Sequence, residues 1–192
     1  MKTPEDIFDD RRRALEEAFF ARRNEELLDA LRQDSKKLEK EVALAKASGI
    51  TEAELLENLI ALGIGPETLA ALSLVPLVEV AYASGRVELN ERRAVLSAAE
   101  MSGLKPGDIA YKLLEQWLQH RPDPKLFEAW RAYIAALVPT MNPDAADALK
   151  KFILDRGTRV AEAAGGFLGI GSICKEERQV LDSLATSLSR KG

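Results

Sequence analysis

The sequence predicts an all-α protein, and three observations support this prediction. The stretch from Pro4 to about Ala47 contains no glycine and no further proline, and it is rich in Glu, Arg, Lys, Leu and Ala, which are good helix formers. No segment shows the sustained alternation of apolar and polar residues that is typical of strands. Glycine and proline stand where helices would end, and not where hairpins would turn. We therefore expect helices packed on helices around one core.

The composition argues against several classes of protein. The chain has 192 residues, of which 46% are apolar and 30% charged, as is typical of a globular domain with a sizeable core. Its formal net charge of −4 is opposite to the positive excess that nucleic-acid binding needs. No apolar run reaches the ~20 residues of a transmembrane helix, and the N-terminus lacks the pattern of a signal peptide. With a single cysteine, Cys174, we expect a cytoplasmic protein without an internal disulfide.

Helix-breaking residues divide the chain into a long N-terminal helical arm, residues 1–48, and a helical domain, residues 49–192. The run 69–82 is strongly apolar and should form the centre of the core, and Pro76 should kink or split its helix. We also expect a capping box at Thr51 and Glu54. The predicted helices of the domain cover about 51–60, 69–82, 90–101, 106–120, 124–138, 143–164 and 175–190.

The arm carries an apolar face. Its members recur at steps of seven and four, so they share about a third of the helix circumference. They are Phe20, Leu27, Leu31, Leu38 and Val42. Polar residues would fall in the seam of a continuous coiled coil, so we expect this face to pack on the chain's own domain.

An internal repeat is the most specific pattern in the sequence. In each copy a glycine allows a tight turn, an aliphatic residue seals the core, and a glutamate can accept backbone N–H groups at a helix start. Capping alone explains the positions of both glutamates, without any ligand. A duplicated helix-turn-helix unit is therefore predicted. The corresponding residues are Gly85, Val87, Glu91, Arg92, Val95 and Ala99 in the first copy and Gly171, Ile173, Glu177, Arg178, Leu181 and Ala185 in the second.

Residues 75–104, VPLVEVAYASGRVELNERRAVLSAAEMSGL, resemble the TerB-like family, which includes tellurite-resistance TerB and the N-terminal domain of the DjlA co-chaperone. The resemblance extends from about Leu69 to the C-terminus and implies a TerB-like helical bundle with a stress-response role. It also implies a divalent cation held by acidic residues at the turns. The sequence departs from the family at Ser84 and Ile170, where each turn lacks an oxygen ligand. The implied metal ligands are Glu88, Asn90, Glu91, Glu176 and Glu177.

Candidate partner-binding residues lie at two places. Phe8 and Phe19 lie outside the apolar face of the arm, and Phe167 and Leu168 stand between glycines in GGFLGIG, residues 165–171. A protein partner or a second copy of the chain would cover them, and burial beneath the arm is the alternative for the loop. The arm segment FDDRRRALEEAFFARRNEELL is similar to the opening of the zeta-type inhibitor subunit of bacterial F-type ATP synthases, which implies contact with a partner.

Groups suited to catalysis are few. His120, the one histidine, should end a helix, and Cys174 stands near a helix start, where its thiol pKa can be lowered. No small-molecule substrate is evident, and apart from the implied cation no cofactor is expected. We therefore predict a non-enzymatic protein-interaction or scaffold module. A cation-binding or stress-response domain is the alternative.

Overall fold

The computed structural model describes residues 22–23, 28–29, 32, 34–164 and 173–189. The all-α prediction is confirmed, because these residues form helices and turns and contain no strand. The chain divides into two compact units, Met1–Lys40 and Glu41–Gly192. In the first unit, every described residue is helical and exposed.

The second unit contains all the helices predicted for the domain. They agree with the predicted ranges to within a few residues, because glycine and proline mark their ends. They are α2 (Ala53–Ala61), α3 (Leu69–Leu72), α4 (Val75–Ala81), α5 (Leu89–Met101), α6 (Ile109–Gln119), α7 (Lys125–Leu137), a 3-10 turn (Val138–Thr140), α8 (Pro143–Ala164) and α9 (Lys175–Ser187). The unit begins with the last residues, 41–48, of helix α1, which is continuous from residue 34.

The predictions made for Pro76 and for the start of α2 differ in their outcome: the first is confirmed and the second is wrong. Pro76 splits the apolar run as predicted, since it lies in the first turn of α4, where a missing N–H costs no intrahelical hydrogen bond. The capping box predicted at Thr51 and Glu54 is wrong. The N-cap residue of α2 is Glu52, and no side chain caps this helix.

Helix α4 lies at the centre of the core, as predicted. Val75, Val78 and Val80 are fully buried, and α4 packs on α5, α7, α8 and α9. Helix α8 in turn packs on α4, α5 and α9. Trp130 of α7, which is 1% exposed, belongs to the same core. The two repeat turns, which precede α5 and α9, are therefore attached to the same central helices.

Gly157 marks a close approach of α8 to its neighbours. A Cβ at this position would lie 2.9 Å from Leu181 Cδ2 and 3.6 Å from Val80 Cγ2. Glycine inside a helix costs about 1 kcal/mol relative to alanine. The close contact of α8 with α4 and α9 explains why a glycine stands there.

The apolar face predicted on the arm is exposed where the structure describes it. Leu38 and Val42 are 60% and 61% exposed. Val42 belongs to the second unit, so the expectation that it packs on that domain is wrong. Periodicity identifies an apolar face but not what covers it. Phe20, Leu27 and Leu31 lie outside the described residues.

The helix ends at residue 48 as predicted. Ser48 Oγ donates to the Leu44 carbonyl at 2.7 Å and accepts from Ile50 N–H at 3.2 Å, and Gly49 follows with φ of 73°. Leu44 is fully buried in the core. The second unit thus begins at Glu41, before the domain boundary predicted after residue 48.

None of the helices in the described ranges has the length and apolar character needed to cross a membrane.

Candidate functional site

The two repeat turns each place a glutamate in the core at the start of a helix. Glu91 of α5 is fully buried, and Glu177 of α9 is 2% exposed. Glutamate is rarely buried to this degree, because leaving water disfavours its charged form. The environment of these two carboxyl groups is therefore where ligand or proton chemistry would arise.

Each glutamate accepts a hydrogen bond from the backbone of its N-cap residue. Glu88 N–H donates to Glu91 Oε2 at 2.7 Å, and Cys174 N–H donates to Glu177 Oε2, also at 2.7 Å. This bond is the glutamate half of a capping box. The capping role predicted for both glutamates is confirmed.

The remaining parts of the turns also follow the prediction where they are described. Gly85 has φ of 104°, a conformation that favours glycine. Val87 and Ile173 are both half-buried and pack against the core. Gly171 lies outside the described residues.

Glu91 titrates near neutral pH. Burial raises the pKa of its carboxyl group from 4.5 to about 7; the hydrogen bond from Glu88 N–H opposes this rise, and the negative charges of Glu177 and Glu88 add to it. Its Oε1 atom is buried and has no hydrogen-bond partner among the described residues. Because the charge of Glu177 acts on Glu91, the two turns are within electrostatic reach of one another.

The five predicted metal ligands are placed in two different environments. Glu91 and Glu177 are buried, whereas Glu88, Asn90 and Glu176 are exposed. Over the described ranges, no group of three or more His, Cys, Asp or Glu side chains is arranged to hold a metal ion. Metal binding at the turns stays a prediction.

The predicted partner-binding residues Phe8, Phe19, Phe167 and Leu168 lie outside the described residues. The structure instead shows large exposed apolar side chains at other positions. Those in the second unit lie mainly at helix ends, which apolar periodicity does not mark. Sequence reasoning singled out only Val42 among them, and expected it to be covered. The exposed residues are Leu28, Leu38, Val42, Leu89, Met101 and Ile109.

Cys174 and His120 occupy helix ends. Cys174 is the N-cap residue of α9, and its Sγ accepts Glu177 N–H at 3.4 Å. This bond lowers the pKa of the thiol, but burial and the carboxylates of Glu176 and Glu177 outweigh it, so the thiol pKa is raised. The lowering that a helix start can cause is therefore outweighed at this thiol. His120 ends α6, as predicted.

An ion pair between α4 and α7 was not predicted. Arg131 Nη2 lies 2.6 Å from Glu79 Oε1, and Arg131 Nη1 donates to the Phe127 carbonyl at 3.1 Å. Glu79 Oε2 is buried without a hydrogen-bond partner in the described part of the chain. Beside the pair is a cleft of about 370 Å³, in whose wall the Arg121 guanidinium lies 5.6 Å from the centroid of the Tyr82 ring. The pair joins residues far apart in sequence, so no local pattern signals it.

Comparison with known proteins finds no relative. No family model, no curated protein and no solved structure matches this chain. The fold and the site define an all-α helical bundle in which two capping glutamates are buried.

Proposed function

We propose that this chain is a non-enzymatic protein-interaction or scaffold module of a TerB-like type. The observation that supports this proposal is the exposure of Leu38 and Val42, at 60% and 61%. Residues four apart lie on the same helix face. Each aliphatic side chain left in water forgoes about 1.5–3 kcal/mol that full burial would contribute. A groove on a partner could bury this face by helix-in-groove docking.

The surroundings of these two side chains suit an interface. Asp34 and Ser35, four and three residues before Leu38, are exposed polar residues on the same side of the helix. Interfaces commonly combine an apolar centre with a polar rim that keeps the free protein in solution. His120 is the C-cap residue of α6, and Cys174 is the N-cap residue of α9, where its sulfur accepts Glu177 N–H.

A pair of double variants tests the docking face. Leu38→Ala with Val42→Ala removes the apolar side chains, and Lys36→Ala with Lys40→Ala alters exposed residues on the opposite side of the same helix. All four positions are exposed, so neither double variant should lower stability by more than about 0.5 kcal/mol. We expect only the first variant to lose self-association in sedimentation experiments, or to lose the partners that co-purify from the native cell. Identical behaviour of both variants contradicts the proposal.

A shortened chain provides a second test. Deletion of residues 1–40 removes the first unit and leaves the second unit complete. A deletion that continued to residue 47 would also remove Leu44, which is fully buried, and would destabilise the core. Binding that survives deletion of residues 1–40 would place the contact outside the first unit.

A cation-responsive role, as in a stress-response domain, is the alternative. It is favoured by Glu91, whose Oε1 has no hydrogen-bond partner in the described ranges and whose carboxyl group is under the influence of Glu177. A bound cation would stabilise the ionised form of Glu91. Under this alternative, calcium or magnesium should raise the melting temperature of the native chain and not that of Glu91→Gln. Equal shifts in the two chains would exclude a site at Glu91.

A further inference from the structure

A small cavity lies between α5 and α8. Its volume is about 130 Å³, and its lining residues are Ala94, Ser97, Ala98 and Met101 from α5 and Arg156 and Arg159 from α8. This volume is roughly ten times the minimum for one water molecule and well below the roughly 300–1,000 Å³ of pockets for larger organic ligands. The cavity therefore has room for a small ion or a single headgroup.

The guanidinium group of Arg156 is positioned but incompletely bonded. Its Cζ lies 3.4 Å from the centroid of the Phe152 ring, so the two planar groups are in contact. Its Nε is buried and has no hydrogen-bond partner within the described residues. Contact with the ring fixes the guanidinium plane, and the terminal Nη groups of Arg156, for which the described residues offer no hydrogen-bond partner, are the donors left for a ligand in the cavity.

The two arginines of the cavity are not held in ion pairs with neighbouring carboxylates. Arg156 and Arg159 are three residues apart and are neighbours on one face of α8. Burial and the charge of Arg159 lower the pKa of Arg156, and Asp155 opposes this effect. Asp155 is itself paired with Lys151 at 3.0 Å. Neither arginine takes part in an ion pair within the described ranges.

We propose that this cavity binds a phosphate-class oxyanion. The two guanidinium groups offer several N–H donors in planar forks, the geometry that proteins use for oxyanions. The hydroxyl of Ser97 can add a donor from α5, on the other side of the cavity. A tetrahedral anion can take donors from both helices at once. Met101, which is 66% exposed and lines the same cavity, offers an apolar surface to an ester substituent.

The test is a titration of the full-length ¹⁵N-labelled chain with inorganic phosphate at constant ionic strength, followed by backbone amide shifts. We expect saturable shifts at Ser97, Met101 and Arg156. Arg156→Gln and Arg159→Gln should each weaken binding about tenfold or more, because each removes charge-assisted hydrogen bonds. Lys112→Gln is the matched control, since it makes the same charge change at an exposed position of α6.

Binding that both arginine variants lose and Lys112→Gln retains would establish the site. Absence of saturable shifts in the native chain, or equal weakening in all three variants, would overturn the proposal. Ser97→Ala covers the case in which an arginine variant fails to fold, as judged by circular dichroism. Ser97 is exposed, so its replacement should preserve the fold. We expect this variant to bind phosphate several-fold more weakly than the native chain does. Unchanged binding would contradict the site.

Methyl phosphate distinguishes two sources of the anion. Tighter binding of methyl phosphate than of inorganic phosphate would assign the cavity to a phosphomonoester whose substituent contacts Met101. The reverse order would assign it to the free anion. Acetate that competes as well as phosphate would overturn the assignment to the phosphate class.

Discussion

Glu91 and Glu177 occupy equivalent positions in two turns of the same core, and the charge of Glu177 raises the pKa of Glu91. Both side chains accept the N–H of their N-cap residue at 2.7 Å. Capping favours an ionised carboxylate, whereas burial and a second nearby carboxylate favour a protonated one. At Glu91, burial and the nearby negative charge outweigh the capping hydrogen bond, so the pKa of the carboxyl group is raised.

The first prediction is that Glu91→Gln makes stability less dependent on pH. The pKa of about 7 in the folded state exceeds the value of 4.5 expected when unfolded, so the folded chain binds this proton more tightly. The resulting stabilisation is complete below about pH 4.5 and is lost as pH rises through about 7. The difference corresponds to at most about 3 kcal/mol. Glutamine still accepts Glu88 N–H and cannot ionise, so this variant should be more stable than the native chain above about pH 7.

Urea denaturation between about pH 5 and 8 measures this effect. Glu88→Gln serves as the control, because it removes an exposed carboxylate of the same turn and should leave most of the pH dependence intact. If the native chain and Glu91→Gln lose stability equally with rising pH, Glu91 is not the titrating group.

The second prediction concerns the cap of α9. Glu177→Ala should lower the free energy of unfolding by about 1–2 kcal/mol, because it leaves Cys174 N–H without its acceptor. Glu176→Ala is the control, since Glu176 is its exposed neighbour and should change stability by less than about 0.5 kcal/mol. Thermal unfolding at one pH compares the two, and similar losses would argue against a specific cap.

The third prediction concerns the backbone conformation at Gly85 in the first repeat turn. Gly85→Ala should destabilise the chain by about 1–2 kcal/mol, since φ of 104° is strained for any residue with a Cβ. Gly65→Ala is the matched control because Gly65 does not have a positive φ. At both positions an added Cβ would meet no atom within 4 Å among the described residues. Equal effects in chemical denaturation would mean that φ is not the cause.

The fourth prediction concerns the ion pair between α4 and α7. Arg131→Met should cost about 1–3 kcal/mol, because it leaves the carboxylate of Glu79, only 17% exposed, without its partner. Replacing Glu79 by Leu in the same chain should recover much of this loss. A double-mutant cycle measures the coupling between the residues. Additive losses would show that the observed 2.6 Å contact contributes little.

Local features of the fold could be predicted from sequence, whereas features that depend on distant contacts could not. The helix ends and the capping of Glu91 and Glu177 depend on residues within a few positions of each other, and the sequence displays them directly. The exposure of Leu38 depends on whether another surface covers it. The Glu79–Arg131 pair and the unbonded Nε of Arg156 depend on which helices pack together, and residue spacing does not encode this.

Cys174 makes the second turn accessible to chemical labelling. It is the single cysteine of the chain, it is half-buried, and its sulfur accepts a hydrogen bond from Glu177 N–H. Only the thiolate reacts readily with alkylating reagents, so the raised pKa slows modification of this sulfur near neutral pH. The pH dependence of its alkylation rate therefore reports the environment at the start of α9, in the native sequence and without an introduced probe.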